Sequence, residues 1–588
     1  MTQACGRDVR RAVSVLVLAA GTVAASSQAY SAEIKCADPE PGITLPRGFC
    51  ATVFADDIGH ARQLAVAPDG TVFANTWSGV YYNNDTPPAG GFVVAMKDTD
   101  GDGQADDIER AGQTFAQGGK GGTGIYLYKD WVYAELDDKI VRYHLRDGRI
   151  DPIAPPEVVV SDMPIDGDHP MHPFIIDSDG KLFVSMGSAT NACERQNRMP
   201  QSKGHAPCIE LETRAGVWRY DANTLNQIFS PDERYASGIR NGEGFDFDKE
   251  GRLYLTQHGR DQLHENWPKL YTQRQGFDLP AEEVMILKEG AAYGWPKCYY
   301  DGEQGKLVLA PEYGGDGGKA VGDCAKAEAP VAAYPAHWAP NDLKIYKADK
   351  FPEGYRDGAF IAFHGSWNRA PGPQGGYNVV FQPLKDGKPS GDWIVFADGF
   401  AGAHRDPGRA AHRPSGLAVG PQGELYVSDD KAGRIWRVTY EGDPNATGIE
   451  AAPAAQHQAT ASPDAIPPEG THGDAGDVAS LTPAPGSSPE QVALGAKVFA
   501  GDVGGATCAG CHGSGGIGTP VGPSLTSGDW LWSDGTLKSI ETVIADGVPE
   551  PKEHPGAMPP MGGVELSKEN LDAVAAYVWA LGHQASQE

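Results

Sequence analysis

No run of about eighteen apolar residues, the length a membrane-spanning helix needs, occurs in this 588-residue chain. Positive charge is also scarce: 49 Lys and Arg face 78 Asp and Glu, a formal charge of −29. A field of that sign repels phosphate backbones and anionic headgroups, which excludes nucleic acid and membrane surfaces as expected partners. An anionic ligand would need a locally basic pocket. Cysteine is sparse, at nine residues. Turn formers are plentiful: 76 Gly and 45 Pro favour many short strands. With 22% charged and 40% hydrophobic residues the composition is globular, so wholesale disorder is excluded.

Residues 1–31 read as an export signal. Arg7, Arg10 and Arg11 precede an apolar run from Ala12 to Ala25, and Ala29 and Ser31 suit cleavage before Ala32. The mature chain is therefore expected in the periplasm or outside the cell. Cys5 leaves with the signal, and Cys508 and Cys511 form a motif of their own. The other six fall into local pairs, which predicts disulfides Cys36–Cys50, Cys193–Cys208 and Cys298–Cys324. Each closes a short loop worth ~3 kcal/mol in the chain-entropy model.

Residues 38–444 carry a recurring phrase of two alternating apolar runs around a turn ending in Gly. It appears at Leu64–Ala74, Phe174–Met186, Phe245–Gln257 and Leu417–Asp429, with turns at Gly70, Gly180, Gly251 and Gly423. Such hairpins over this length predict a mainly β fold, a six-bladed β-propeller with blades of about 65 residues; an array of β-sandwiches is the other solution. Residues 445–487 are rich in Ala, Pro, Gly, Ser and Thr without periodicity and read as a flexible linker. From 488 to 588 a small all-α domain is expected. One helix starts at the Ser488-Pro489-Glu490-Gln491 cap, and a last helix is marked by Leu571, Val574, Val578 and Leu581.

Between those helices lies Cys508-Ala-Gly-Cys511-His512. This spacing lets two thiols bond one haem c while the adjacent His512 reaches the iron. A redox-active thiol pair would not need His512, and zinc would need two further ligands. Gly556-Ala-Met-Pro-Pro-Met-Gly-Gly resembles the Met-Pro-Pro turn of class I cytochromes c, which implies Met558 as sixth ligand, ahead of Met561 and His554.

Gly238-Ile-Arg-Asn241, Gly244, Gln257-His258-Gly259 and Gly290-Ala-Ala-Tyr-Gly-Trp-Pro296 resemble the soluble, quinone-dependent aldose and sorbosone dehydrogenases over most of residues 38–444. That likeness implies a six-bladed propeller holding pyrroloquinoline quinone (PQQ) and Ca²⁺ at one mouth of its channel. It places Asp168-His169 at the family's catalytic pair, with His169 taking the substrate proton; His172, three residues on, is the competing choice. It also implies cofactor contacts from Arg240, Asn241 and His258, and calcium on the backbone carbonyls of Gly259 and Arg260. His337 falls where the family has a small hydroxyl residue. The chain departs from the pattern at His264-Glu265, at His364-Gly-Ser-Trp-Asn-Arg369, where Arg369 replaces a lysine, and near Arg409 and Arg413, where either arginine can face the cofactor. This variant wording resembles the sorbosone-dehydrogenase branch. For each of the three late arginines a solvated surface role is the plain alternative.

Asp98-Thr-Asp-Gly-Asp-Gly-Gln-Ala-Asp-Asp-Ile-Glu109 fits a twelve-residue Ca²⁺ loop, with Asp98, Asp100, Asp102, Gln104 (by its carbonyl), Asp106 and Glu109 as ligands of a structural ion. The whole reads as an exported quinohaemoprotein dehydrogenase acting on a sugar-like alcohol or aldehyde. Electrons pass from PQQ to haem c and on to an external acceptor such as a soluble cytochrome or terminal oxidase. A partner-binding propeller without catalysis and a metal-dependent lactonase are the rivals.

Overall fold

A computed structural model describes residues 36–583 apart from 37, 39–40, 77–90, 113–121, 147, 151–154, 199–200, 367, 370–373, 404, 406–409, 444, 455–477, 501–502, 505, 507, 513, 517–521, 549–551 and 553–557. The expected export signal, Arg409 and His554 lie outside the described residues.

Six radial antiparallel sheets form a β-propeller. Blade 1 comprises Leu64–Val66, Val72–Asn75, Val93–Lys97 and Asp107–Ala111. Blade 2 runs from Ile125–Tyr128 to Glu157–Ser161, and blade 3 from Phe174–Ile176 to Arg234–Ser237. Blade 4 runs from Gly242–Phe247 to Ala332–Tyr334, and blade 5 from Pro340–Ile345 to Ile394–Ala397. Blade 6 takes Pro414–Val419, Leu425–Asp429 and Ile435–Tyr440 from late in the chain and its outer strand, Phe49–Ala55, from the beginning. Because each blade is sandwiched between neighbours, inner strands are covered on both faces. Leu253–Gln257 is buried at every residue, as is Ala359–Phe363. The four sequence phrases are the first two strands of blades 1, 3, 4 and 6. Their turn residues Gly70, Gly180, Gly251 and Gly423 all take the left-handed φ, 78–90°, that a tight turn here demands.

Ring closure is packed as well as hydrogen-bonded. Phe49 sits among Phe351, Tyr355, Phe396 and Tyr440 with ring centroids 4.8–5.1 Å apart. The three expected disulfides are formed, with Cα–Cα distances of 5.3, 6.1 and 5.7 Å.

The C-terminal unit packs Pro489–Ala500 against Lys568–Gly582, with Cys508–His512 and Leu537–Asp546 completing it. Ser488 Oγ accepts from Gln491 N at 3.2 Å, so the cap forms as expected. A Cβ on Gly495 would stand 2.0 Å from Ala573 O, so this glycine lets the two long helices cross. Within the stretch 445–487 the described residues at either end make contacts of their own. Thr44 Oγ1 donates to Pro453 O at 2.9 Å and Tyr355 OH accepts from Glu450 N at 3.0 Å, on the propeller side. On the other side Val478 and Leu481 join the core of the C-terminal unit. Both ends use backbone groups and lone apolar residues, which composition averages away. Among the described residues no helix is long and apolar enough to cross a membrane.

Phe49→Ala removes the ring that four aromatics enclose, so it is expected to destabilise the propeller by about 3–5 kcal/mol. A denaturation midpoint unchanged from the parent protein would show that ring closure does not depend on this contact.

Candidate functional site

His169 lies on the connection from blade 2 to blade 3. Its Nδ1 is 2.8 Å from Ser188 O and 3.1 Å from Ser188 Oγ, whose own proton goes to Thr190 O at 2.6 Å. The Ser188 carbonyl thus takes the Nδ1 proton, and the neutral ring carries its lone pair on Nε2. Burial first, and then the charge of Arg240, hold its pKa well below 6.5, so the ring is neutral at neutral pH. Gly187 brings His169 and Asn241 together. A Cβ at this position would be 2.4 Å from His169 Cβ and 3.0 Å from Asn241 Oδ1. Asp168, the preceding residue of the sequence pair, accepts from Arg198 Nε and Asn197 Nδ2, both at 2.9 Å. His172 is accounted for by structure: Nδ1 meets Glu135 Oε1 at 3.2 Å and Nε2 meets Pro164 O at 2.9 Å.

Arg240 is held by the protein through most of its guanidinium. Nε donates to Asn191 O at 3.1 Å, Nη1 to Gly259 O at 2.8 Å, and Nη2 to Asn191 Oδ1 at 3.0 Å and Asp261 Oδ2 at 2.9 Å. One Nη1 hydrogen remains, so Arg240 offers a ligand a single donor backed by a fixed charge. The Gly259 carbonyl, expected to bind calcium, accepts this Arg240 bond. Arg260 points its side chain at Glu312, 2.5 Å away. Asn241 Nδ2 is 3.5 Å from His258 Nδ1, and His258 Nε2 is buried without a hydrogen bond. Burial, with Arg240, depresses His258 to about 3, so its ring too is neutral. An orphaned ring nitrogen next to a cationic Arg240 fits an anionic quinone such as PQQ; the donors present would hold one edge of it.

The later residues are placed less simply. His337 Nε2 is 3.1 Å from Gly276 O, and its Nδ1 is 3.7 Å from Asp261 Oδ1. Arg369 donates to Phe277 O at 2.7 Å, Ala336 O at 2.8 Å and Asp278 Oδ1 at 3.1 Å, bracing blade 5 against an insertion in blade 4. Arg413 donates to His364 O at 3.1 Å and Gly365 O at 2.9 Å. Sequence reasoning passed over Ser188, Asn191 and Asp261. Of these, Asp261 alone carried a signal, since it follows the Gly259-Arg260 step directly.

The acidic loop is the hairpin turn of blade 1. Asp98, Asp100 and Asp106 bring a carboxylate oxygen each within 4.8 Å of the others. Asp102 instead accepts from Gln104 N at 2.8 Å and so caps the turn locally. Glu109 lies in the strand Asp107–Ala111 and pairs with Arg149, so the expected twelfth-position ligand is drawn away by strand pairing.

In the C-terminal unit Cys508, Cys511, His512 and Met558 line one largely apolar cleft that opens to solvent. His512 Nδ1 is 2.9 Å from Pro523 O, the hydrogen bond that fixes a tautomer with Nε2 as the coordinating nitrogen. Met558 is set by backbone pairing with Val548 at 2.8 and 2.9 Å. These residues fit haem c, and Met558 rather than Met561 lines the cleft. Burial pushes the Cys511 thiol up to about 11. Arg198 opposes this rise, while Asp261, Glu265 and Asp168 add to it.

Glu283 Oε1 accepts from Gln257 Nε2 at 3.1 Å, and Gln257 Oε1 accepts from Arg240 N at 2.8 Å. Burial raises Glu283 from 4.5 to about 8. The fold therefore keeps a proton that the unfolded chain loses above its ordinary pKa. Stability should fall as pH rises through that window, by up to ~1.4 kcal/mol per unit. Glu283→Gln, neutral throughout, is expected to flatten this fall between about pH 5 and pH 8. Denaturation midpoints as pH-dependent as the parent's would refute the protonated carboxyl.

Residues 43–441 match the TrAA12-like family, and residues 490–578 match the cytochrome c oxidase, cbb3-type, subunit III family. Over 236 residues the chain is 29% identical to a pyrroloquinoline quinone-dependent pyranose dehydrogenase of Coprinopsis cinerea, covering 34% of this chain and 30% of that protein. Over 82 residues it is 42% identical to the cbb3-type cytochrome c oxidase subunit FixP of Rhizobium etli, covering 13% of this chain and 28% of that protein. The chain thus spans under a third of the length of either relative. A Trichoderma reesei structure of carbohydrate-active enzymes family AA12 superposes with a TM-score of 0.54 at 18% identity, covering 69% of this chain and 99% of that one, a likeness of fold. The chain belongs to the TrAA12-like family, its six-bladed propeller like that of PQQ-dependent sugar dehydrogenases and joined to a C-terminal cytochrome c domain of the cbb3 type.

Proposed function

We propose that this protein is an exported dehydrogenase that oxidises a sugar-like alcohol or aldehyde at the propeller mouth and passes the electrons to its own cytochrome domain. The observation that carries the reading is His169: its Nδ1 proton is committed to Ser188 O, and its depressed pKa keeps Nε2 a base. That nitrogen takes the proton of the substrate hydroxyl, a contribution of about 10²–10⁴-fold for a well-placed base. Arg240 and His258 hold the cofactor edge, and Asn241, packed beside His169 across Gly187, sets base and cofactor side by side. When bound, PQQ supplies the hydride acceptor and haem c the one-electron outlet. Cys508 and Cys511 would carry the haem, with His512 and Met558 on the iron. Calcium on the Gly259 and Arg260 carbonyls requires Gly259 to share its lone pairs between the ion and Arg240. A second, structural calcium would use Asp98, Asp100 and Asp106. From the haem, electrons leave to a soluble cytochrome or terminal oxidase.

The test follows the haem absorption of purified full-length protein, given PQQ and CaCl₂, while sugars and alcohols are added in turn. At least one sugar should reduce the haem only when PQQ is present. His169→Ala should slow that reduction about 10²–10⁴-fold, leaving the haem spectrum and PQQ titration unchanged. If nothing reduces the haem and PQQ does not bind, the propeller is a partner-binding module instead.

A further inference from the structure

Arg198 belongs to no motif, yet the candidate site is built around it. It lies on the segment closed by the Cys193–Cys208 disulfide and is 2% exposed. Nε donates to Asp168 Oδ2 at 2.9 Å, and Nη1 donates to Asp261 Oδ2 at 3.0 Å and Gln262 Oε1 at 3.4 Å. Asp168 is the neighbour of His169 in sequence. Asp261 also anchors Arg240, at 2.9 Å on the same oxygen. One guanidinium therefore ties the residue before the base to the residue that holds the cofactor arginine.

Stability alone is a poor reason for this arrangement. Buried ion networks add little over apolar packing of the same volume, because each charge is stripped of water. Arg198 also sits at φ 60° and Cys193 at φ 52°, left-handed conformations that strain a residue with a Cβ. A buried four-charge cluster centred on a residue of a strained, disulfide-closed segment is the pattern of a device that fixes positions.

Resting on the dehydrogenase reading above, we propose that Arg198 is a positioning residue. It locks Asp168 and Asp261 so that His169 Nε2 and the Arg240 guanidinium present themselves to substrate and cofactor at a fixed separation. It does not touch the reacting atoms.

The charges around His169 give the role a second signature. Arg240 from blade 4, Arg198 and Asp261 act on its ring; Asp168 is its chain neighbour, and Arg214 of blade 3 reaches its backbone carbonyl at 3.4 Å. The arginines favour the neutral ring. Loss of the Arg198 charge therefore raises the pKa of the base and moves the acid limb of kcat/KM to higher pH.

Arg198→Met and Arg198→Lys separate charge from geometry. Three measurements on full-length protein are needed: PQQ affinity of the apo form by tryptophan fluorescence, kcat and KM with a dye acceptor, and the pH profile. In Arg198→Met the acid limb should move up by about half a unit or more, kcat should fall about tenfold, and PQQ should bind about tenfold more weakly. In Arg198→Lys the limb and PQQ affinity should return to within about threefold of the parent, while kcat stays low, since one ammonium nitrogen does not reproduce the fixed fork by which Nε and Nη1 reach Asp168 and Asp261 separately. If Arg198→Met does not fold, the lysine variant decides alone by the same split. Unchanged PQQ affinity and acid limb in Arg198→Met, or identical behaviour of the two variants, overturns the proposal. Failure of the parent protein to bind PQQ overturns the dehydrogenase reading as well, and is distinguishable from either.

Discussion

The Asp261 carboxylate is the constraint on which the propeller mouth depends. Its Oδ2 accepts from Arg198 and Arg240 at once, and its Oδ1 accepts from Asn368 Nδ2 at 2.6 Å. Its backbone N–H donates to Asn191 Oδ1 at 2.8 Å. Two guanidinium groups would repel each other at this spacing in a weakly polarisable interior. The shared anion makes their adjacency possible. In return Arg240 and Arg198 keep the carboxylate ionised against burial, well below its ordinary range. One residue thus joins an insertion of blade 3, the top of blade 4 and a loop of blade 5.

Around this anion the ionisation pattern is set by burial more than by pairing. His258 falls to about 3 and His364 to about 4, each chiefly by desolvation. Glu243 and Glu282 rise to about 7 for the same reason. A strongly acidic chain therefore encloses a channel in which His258 and His364 are neutral, Glu243 and Glu282 are drawn towards their protonated form, and Asp261 stays ionised between two arginines. The net charge of −29 describes the outer surface and says little about the mouth.

How much was readable beforehand varied with the physical range of the determinant. Four blades announced themselves because a positive-φ glycine in a tight turn is a local requirement. Blade 2 hid because Lys129, at φ 54°, takes that role without glycine. Blade 5 hid because a long segment separates Pro340–Ile345 from Ala359–Phe363. The haem motif and the capping serine are local chemistry and were legible. The directions of Arg369 and Arg413 were not, because each is set by backbone carbonyls far along the chain. Glu109 was harder to read for a related reason: its strand pairs with Val93–Lys97 and its carboxylate with Arg149, neither of which the spacing of the acidic loop reveals. Arg198 had no signal, since its side-chain partners, Asp168 and Asp261-Gln262, come from two distant segments.

The strand Phe49–Ala55 completes the blade formed last, against Ile435–Tyr440. During synthesis it must wait, with an unpaired edge, until every other blade has been made. An unsatisfied edge is a template for wrong partners, within one chain or between chains. The Cys36–Cys50 disulfide cannot shorten that wait, because it joins the strand only to the segment before it. Chain order thus makes maturation of this ring vulnerable at its first-made strand, and a ribosome that stops before residue 440 leaves a molecule with no means of closing.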